Sequence, residues 1–118
     1  MYKQDTDDYV ASDEDFTTPL LNIYSDDVWG QLESNSTYVA NKLDNEHFKD
    51  AYTVHFQGAK HLSLTDLPLL SPILANILQG GKADIDQYYC IETENELIVQ
   101  FFDYELKGIG HFTPEKIY

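Results

Sequence analysis

The sequence has little of three things that mark large classes of protein: cysteine, basic residues and long apolar runs. Its one cysteine, Cys90, has no partner for an internal disulfide, and no Cys-x-x-Cys pair is present, which argues against a disulfide-stapled secreted scaffold. Seven basic residues stand against 21 acidic ones, and the net charge is −14. Nucleic acids and anionic membranes are bound by clustered Lys and Arg, so neither is an expected partner.

The apolar stretches are too short for a membrane span. The longest one, residues 67–78, is interrupted by Pro68 and Pro72. The acidic N-terminus lacks the apolar core of a signal peptide. Together with the single cysteine, these features lead us to expect a cytoplasmic protein that does not enter the membrane.

What the sequence does contain is enough apolar material for a core. Hydrophobic residues make up 42% of the 118 positions and aromatic residues 14%, which excludes a fully disordered chain and fits one domain. Residues 1–18 are the exception, because they are rich in acidic side chains without a clear period, and we expect a loosely ordered lead-in there. The run Asp13-Glu14-Asp15 lacks the glycine and the distal glutamate of a calcium loop, so no metal site is expected.

Two apolar runs and the segment between them predict a βαβ unit. Residues 19–25 (PLLNIYS) read as a strand covered on both faces, and residues 51–56 (AYTVHF) as a second strand. Between them, Ser34, Asn35 and Ser36 offer helix caps before a helix over residues 36–43. Strand, helix and strand in that order predict two parallel strands with a right-handed crossover.

The second strand runs into the glycine-containing turn 57–60, and two helices follow. The helix predicted over residues 66–79 should kink or split at Pro72, and the last helix begins at Asp84 or Asp86 and ends at Lys107 before Gly108. Aromatic side chains of the last helix lie at helical spacing and are expected in the core rather than around an acyl pocket: Tyr88, Tyr89, Phe101, Phe102 and Tyr104. Residues 109–118 are expected to form a flexible tail.

The turn delivers a single histidine, His61, to a loop before a helix, which is where α/β folds present a general base. The alternative is a surface-loop histidine without chemistry. The other histidines, His47, His55 and His111, show no metal-ligand spacing with one another, and His55 is expected to be structural.

Three stretches carry a resemblance to a known family: PLLNIYSDD, AYTVHFQGAKHLSLTDLPLLSP and GGKADIDQYYCIETENELIVQFFDYELKG. Over residues 19–108 the chain resembles the C-terminal part of α/β-hydrolases, in the platelet-activating factor acetylhydrolase-like and dienelactone hydrolase-like branch. The resemblance implies an α/β fold in which the βαβ unit and the two helices form the end of a larger sheet. It also fits a pair of parallel strands whose edges would otherwise stay open.

The same resemblance implies a role for His61 as the base of a Ser-Asp-His triad. The triad acid would lie upstream of Met1 or be Asp26 or Asp27, which follow the first strand. The serine of that family sits in a G-x-S-x-G elbow, and this sequence contains no such motif. We therefore expect a segment of an ester or lactone hydrolase that needs no cofactor, carries the triad histidine and is inactive alone.

The alternative expectation is a non-catalytic interaction module. On this reading the chain completes its sheet with an upstream chain, another partner or a second copy of itself, because two strands with open edges make a poor sheet.

Overall fold

The structure, a computed structural model, describes residues 2–5, 8–11, 17–35 and 50–118 of the chain. Its strands are β1 (Tyr2–Asp5), β2 (Asp8–Ala11), β3 (Leu20–Ser25) and β4 (Ala51–Phe56). Its α-helices are α1 (Asp26–Trp29), α2 (Leu67–Leu70), α3 (Pro72–Leu78) and α4 (Gln87–Lys107), and a 3-10 helix spans His61–Leu64.

Strands β3 and β4 pair in parallel, with Leu20 opposite Ala51 and Ser25 opposite Phe56. The predicted parallel pair and the α/β class are therefore confirmed. The helix predicted over residues 36–43 lies outside the described residues. Within the part of the chain that the structure describes, β3 pairs with no other strand.

The lead-in contains a hairpin that the sequence pattern did not predict. Strands β1 and β2 pair antiparallel, with Tyr2 opposite Ala11 and Asp5 opposite Asp8. Each strand is only four residues long, YKQD and DYVA, and neither shows the alternation of apolar and polar residues from which a strand could be recognised.

The core lies between β4 and α4. Its buried hydrophobic members are Val54, Phe56, Ala59, Cys90, Leu97, Phe101 and Phe112. Helix α4 begins where Asp86 accepts a hydrogen bond from the Tyr89 amide at 2.9 Å, and it ends at Gly108 in the left-handed conformation. The sequence predicted Asp84 or Asp86 at the start and Gly108 at the end, and the structure has Asp86 and Gly108.

The C-terminal tail differs from the flexible segment that we expected. The His55 amide donates to the Lys116 carbonyl at 2.9 Å, and the Tyr118 amide donates to the His55 carbonyl at 2.8 Å. Phe112 is buried in the core, and the Tyr118 ring lies 5.6 Å from that of Phe56. The tail thus covers the edge of β4 that faces away from β3.

Pro72 splits the predicted helix into α2 and α3, as expected. The large aliphatic side chains of these helices point outward, with exposures of 45–81% for Leu70, Ile73, Leu74, Ile77 and Leu78. The expected burial of the aromatic residues on α4 is likewise wrong except for Phe101, since Tyr88, Tyr89, Phe102 and Tyr104 are 37–69% exposed. Helical spacing located these helices but did not show which face meets the core.

Candidate active site

The parallel register brings the ends of β3 and β4 together. Ser25 lies opposite Phe56, so Asp26 and Asp27 begin α1 beside the turn that leaves β4. The carboxyl ends of parallel strands are where α/β folds place their functional groups. The candidate site is therefore built from the start of α1 and residues 57–61.

The turn is shaped by Gly58. Its φ of 78° lies in the left-handed region, and an added Cβ would stand 3.2 Å from the Asp84 Cβ. The Gly58 carbonyl accepts hydrogen bonds from the amides of Asp84 at 2.9 Å and Ile85 at 3.2 Å. Only glycine combines this backbone conformation with so close an approach of another segment.

His61 opens the 3-10 helix and its side chain is exposed. Its backbone amide donates to Asp27 Oδ2 at 3.2 Å. The 3-10 helix is held in place by hydrogen bonds at Ser63. The Lys60 amide donates to Ser63 Oγ at 3.1 Å, and Gln87 Nε2 at the start of α4 donates to the Ser63 carbonyl at 2.8 Å. The structure thus places the predicted base on a fixed backbone at the end of the sheet, with its imidazole open to solvent.

Asp27 is the candidate acid that accepts a hydrogen bond directly from His61, through the backbone amide of His61. Its Oδ1 accepts from Ser25 Oγ at 2.5 Å and from the Val28 amide at 3.0 Å. Burial acts to raise the pKa of Asp27, but the hydrogen bonds from Ser25, His61 and Val28 outweigh it and hold that pKa below its ordinary value. Asp27 is therefore a carboxylate at neutral pH.

Asp26 forms a second pair that sequence reasoning missed. Its Oδ1 lies 2.6 Å from His55 Nε2, and its Oδ2 accepts from the Gly58 amide at 3.2 Å. The His55 ring is buried and stacks on Trp29, with centroids 4.7 Å apart and planes 8° from parallel. The available signal was the position of His55 on the polar face of β4, one strand away from the carboxylates that follow β3.

The structure brings His61 together with both candidate acids, Asp26 and Asp27. Among the described residues, however, none forms a hydrogen bond with the His61 imidazole, and both carboxylates bond to other groups. His111 is exposed in the tail, away from any acidic pair described here, and His47 lies outside the described residues.

The described residues hold no group of three or more His, Cys, Asp or Glu side chains suited to a metal ion, and none of their helices has the length and apolarity to cross a membrane. Cys90 is fully buried, and burial with the nearby Glu94 raises the pKa of its thiol to about 11, so it is not a thiolate at neutral pH.

A groove of about 590 Å³ lies between α2–α3 and residues 82–88. It is lined by both apolar and polar side chains, among them Pro68, Asn76, Asp84 and Tyr88. His61, Asp26 and Asp27 do not line this groove, but two of its lining residues, Asp84 and Ile85, donate hydrogen bonds to the Gly58 carbonyl.

Comparison with models of protein families matches residues 3–112 to the family described as platelet-activating factor acetylhydrolase, isoform II. The chain belongs to this family. The match covers the β1–β2 hairpin except Tyr2, as well as the part in which the resemblance was recognised, and it makes the parallel pair and its helices part of an α/β-hydrolase fold. Comparisons with curated proteins and with solved structures found no match.

Proposed function

We propose that this member of the platelet-activating factor acetylhydrolase family supplies His61 as the general base of an ester hydrolase. The observation that carries the proposal is the place of His61: an exposed imidazole on a turn whose backbone is hydrogen-bonded to the first residues after β3. In such a reaction the imidazole takes the proton of a serine hydroxyl and returns it to the leaving group. The substrate class is a small carboxylic ester or lactone.

The nucleophile lies outside these 118 residues on this proposal. No G-x-S-x-G elbow occurs in the sequence, and the described serines beside the site are buried: Ser25 donates to Asp27, and Ser63 accepts from the Lys60 amide. Without a nucleophile and an oxyanion hole, His61 has no acyl-transfer reaction to assist. The chain alone is therefore inactive as a triad enzyme.

The triad acid also comes from outside these residues on this proposal. Asp26 is bonded to His55 and Gly58, and Asp27 to Ser25, Val28 and the His61 amide. Neither carboxylate accepts a hydrogen bond from the His61 ring among the described residues, and a carboxylate from an upstream segment would leave all of these bonds in place.

The test is hydrolysis of p-nitrophenyl acetate by the purified chain and by His61→Ala. We expect equal rates, because the chain has no nucleophile for His61 to activate. His111→Ala is the matched control, since His111 is also exposed but lies in the tail. A rate for the chain that falls with His61→Ala and not with His111→Ala would contradict the proposed inactivity.

The base role itself needs a nucleophile-bearing segment of the same hydrolase, co-expressed with the chain. Esterase activity that appears on co-expression and is lost with His61→Ala, but kept with His111→Ala, supports the proposal. Activity that is unchanged by His61→Ala overturns it.

A second candidate function is that of an interaction module without catalysis. It is favoured by the outward apolar face of α2 and α3, formed by Leu70, Ile73, Leu74, Ile77 and Leu78. Apolar surface of this kind on a folded chain marks a contact site more often than a free surface. Analytical ultracentrifugation of the chain, of Ile77→Ser and of the control Gln100→Ser on α4 tests this function. A dimer that dissociates in Ile77→Ser and persists in Gln100→Ser supports it. A monomer at all concentrations argues against self-association.

A further inference from the structure

We infer that Asp27 is a positioning residue for His61, a role that rests on the proposed function of His61 as the base. The Asp27 carboxylate accepts the hydrogen bond of the His61 backbone amide, at 3.2 Å from N to Oδ2. It does not touch the imidazole. Its effect is on the backbone from which the imidazole projects, and thereby on the direction in which the ring nitrogens point.

Asp27 can act in this way because it is itself fixed. Its other oxygen, Oδ1, accepts from Ser25 Oγ and from the Val28 amide. Ser25 is buried at the end of β3, with only 2% of its surface exposed. Rotation of the carboxylate would break these bonds, so the position of the His61 amide is tied to the end of the strand.

Asp26 fixes the other end of the same turn. Its Oδ2 accepts from the Gly58 amide, and its own amide donates to the Ala59 carbonyl at 2.9 Å. Two consecutive residues of α1 therefore hold the turn where it leaves β4 and where it reaches His61. A base whose backbone is anchored at both ends is already oriented before substrate arrives, which is the condition for efficient proton transfer.

Amide hydrogen exchange of His61 in the intact chain tests this arrangement without any need for activity. In Asp27→Ala we expect the His61 amide to exchange about tenfold faster, because its hydrogen bond to a charged acceptor is lost. The core amides of Val54 and Cys90 should change far less. Glu96→Gln, which removes an exposed charge from α4, is the control and should leave His61 unchanged.

Asp27→Asn separates positioning from a general effect on folding. The side-chain amide keeps one oxygen that can accept from the His61 amide, so exchange at His61 should lie between the wild-type and Asp27→Ala rates. The milder variant also serves if Asp27→Ala does not fold. The inference is overturned if Asp27→Ala leaves the exchange rate of the His61 amide unchanged. It is also overturned if Asp27→Ala raises the exchange rates of His61, Val54 and Cys90 equally.

A titration gives a spectroscopic signature that a merely structural residue would not show. The amide proton shift of His61 should follow the protonation of Asp27, with a midpoint below the ordinary aspartate pKa of 3.8, and this step should vanish in Asp27→Asn. The other titratable groups on and around α1 are Asp26, Tyr24, Tyr52, His55, Lys60 and His61. Asp26→Asn, which removes the neighbouring carboxylate and keeps Asp27, should leave the step in place. A step that persists in Asp27→Asn overturns the inference.

These readouts stand apart from the proposed function. If His61→Ala leaves the co-expressed hydrolase active, the function of His61 fails while the exchange data still decide whether Asp27 fixes its backbone. If the exchange rate of the His61 amide is the same in the wild type and in the Asp27 variants, the positioning role fails while His61 can still be the base.

Discussion

The Nε2 atom of His55 lies 2.6 Å from Oδ1 of Asp26, and this contact joins the interior of the sheet to the start of α1. The histidine side chain is almost fully covered, with 7% exposed, whereas 47% of the aspartate side chain is open to solvent. The pair therefore lies at the boundary between core and surface, beneath the turn that carries His61. It ties the start of α1 to β4 next to that turn.

His55→Ala is expected to lower the free energy of unfolding by about 1–3 kcal/mol, because it removes the hydrogen bond to Asp26 and the stacking on Trp29. Urea unfolding followed by far-ultraviolet circular dichroism measures the change, since Trp29 fluorescence would itself respond to the lost ring. Asp103→Asn is the control: it breaks the exposed pair with Lys107 and should cost only about 0.5 kcal/mol or less. Equal losses in the two variants would contradict a supporting role for His55.

Gly58→Ala and Gly80→Ala form a matched pair. Both glycines have φ near +75°, at 78° and 74°, but an added Cβ meets the Asp84 Cβ at 3.2 Å in one case and nothing within 4 Å in the other. Gly80→Ala should cost about 1 kcal/mol of backbone strain, and Gly58→Ala should cost more, because residues 84–85 must also move. The same urea melts measure both. A larger loss for Gly80→Ala would show that crowding at residue 58 is unimportant.

Glu94 makes the stability depend on pH. Burial, with Asp66 nearby, raises the pKa of Glu94 above its ordinary value of 4.5, so the folded chain disfavours the charged form. The stability that Glu94 contributes is present below pH 4.5 and is lost as the pH rises through its folded pKa. Glu94→Gln should therefore raise the free energy of unfolding at pH 7 and flatten its fall above pH 4.5.

Glu96→Gln is the control for Glu94→Gln, because it removes the same charge from an exposed position of the same helix. Denaturant melts at a series of pH values above 4.5 compare the two variants with the wild type. Equal gains at pH 7 would mean that the effect is relief of the overall negative charge and does not depend on the burial of Glu94.

Phe112→Ala should lower the free energy of unfolding by about 3–5 kcal/mol, the usual range for a buried phenylalanine. The side chain is 5% exposed, and its ring lies 4.8 Å from that of Tyr52 and 5.6 Å from that of Phe101. Ile109→Ala is the control in the same tail, since Ile109 is 58% exposed. If the two variants lose similar amounts, the tail does not pack on the core as described.

Local signals in the sequence located the elements from β3 onward, but not the β1–β2 hairpin. The apolar runs predicted β3 and β4, Pro72 marked the break between α2 and α3, and Asp84 or Asp86 with Gly108 marked the two ends of α4. Each of these features depends on residues within a few positions of one another. The place of His61 after β4 followed for the same reason.

Contacts between distant parts of the chain could not be predicted in the same way. Asp26 and His55 meet only because β3 and β4 pair in one particular register, and the tail meets β4 only once the fold has formed. The outward face of Ile73 and Ile77 was missed because helical spacing shows that a helix has an apolar side without showing what covers that side.

The pairing of the tail with β4 also sets the order in which the fold can be completed. On the ribosome, Val54 and Phe56 are made long before Phe112 and Tyr118, which complete their packing. Until then one side of β4 has no neighbour and the core aromatic cluster is unfinished. The nascent chain therefore carries β4 with one unpaired edge until residues 116–118 are made, and such an edge can pair with other chains before the core closes.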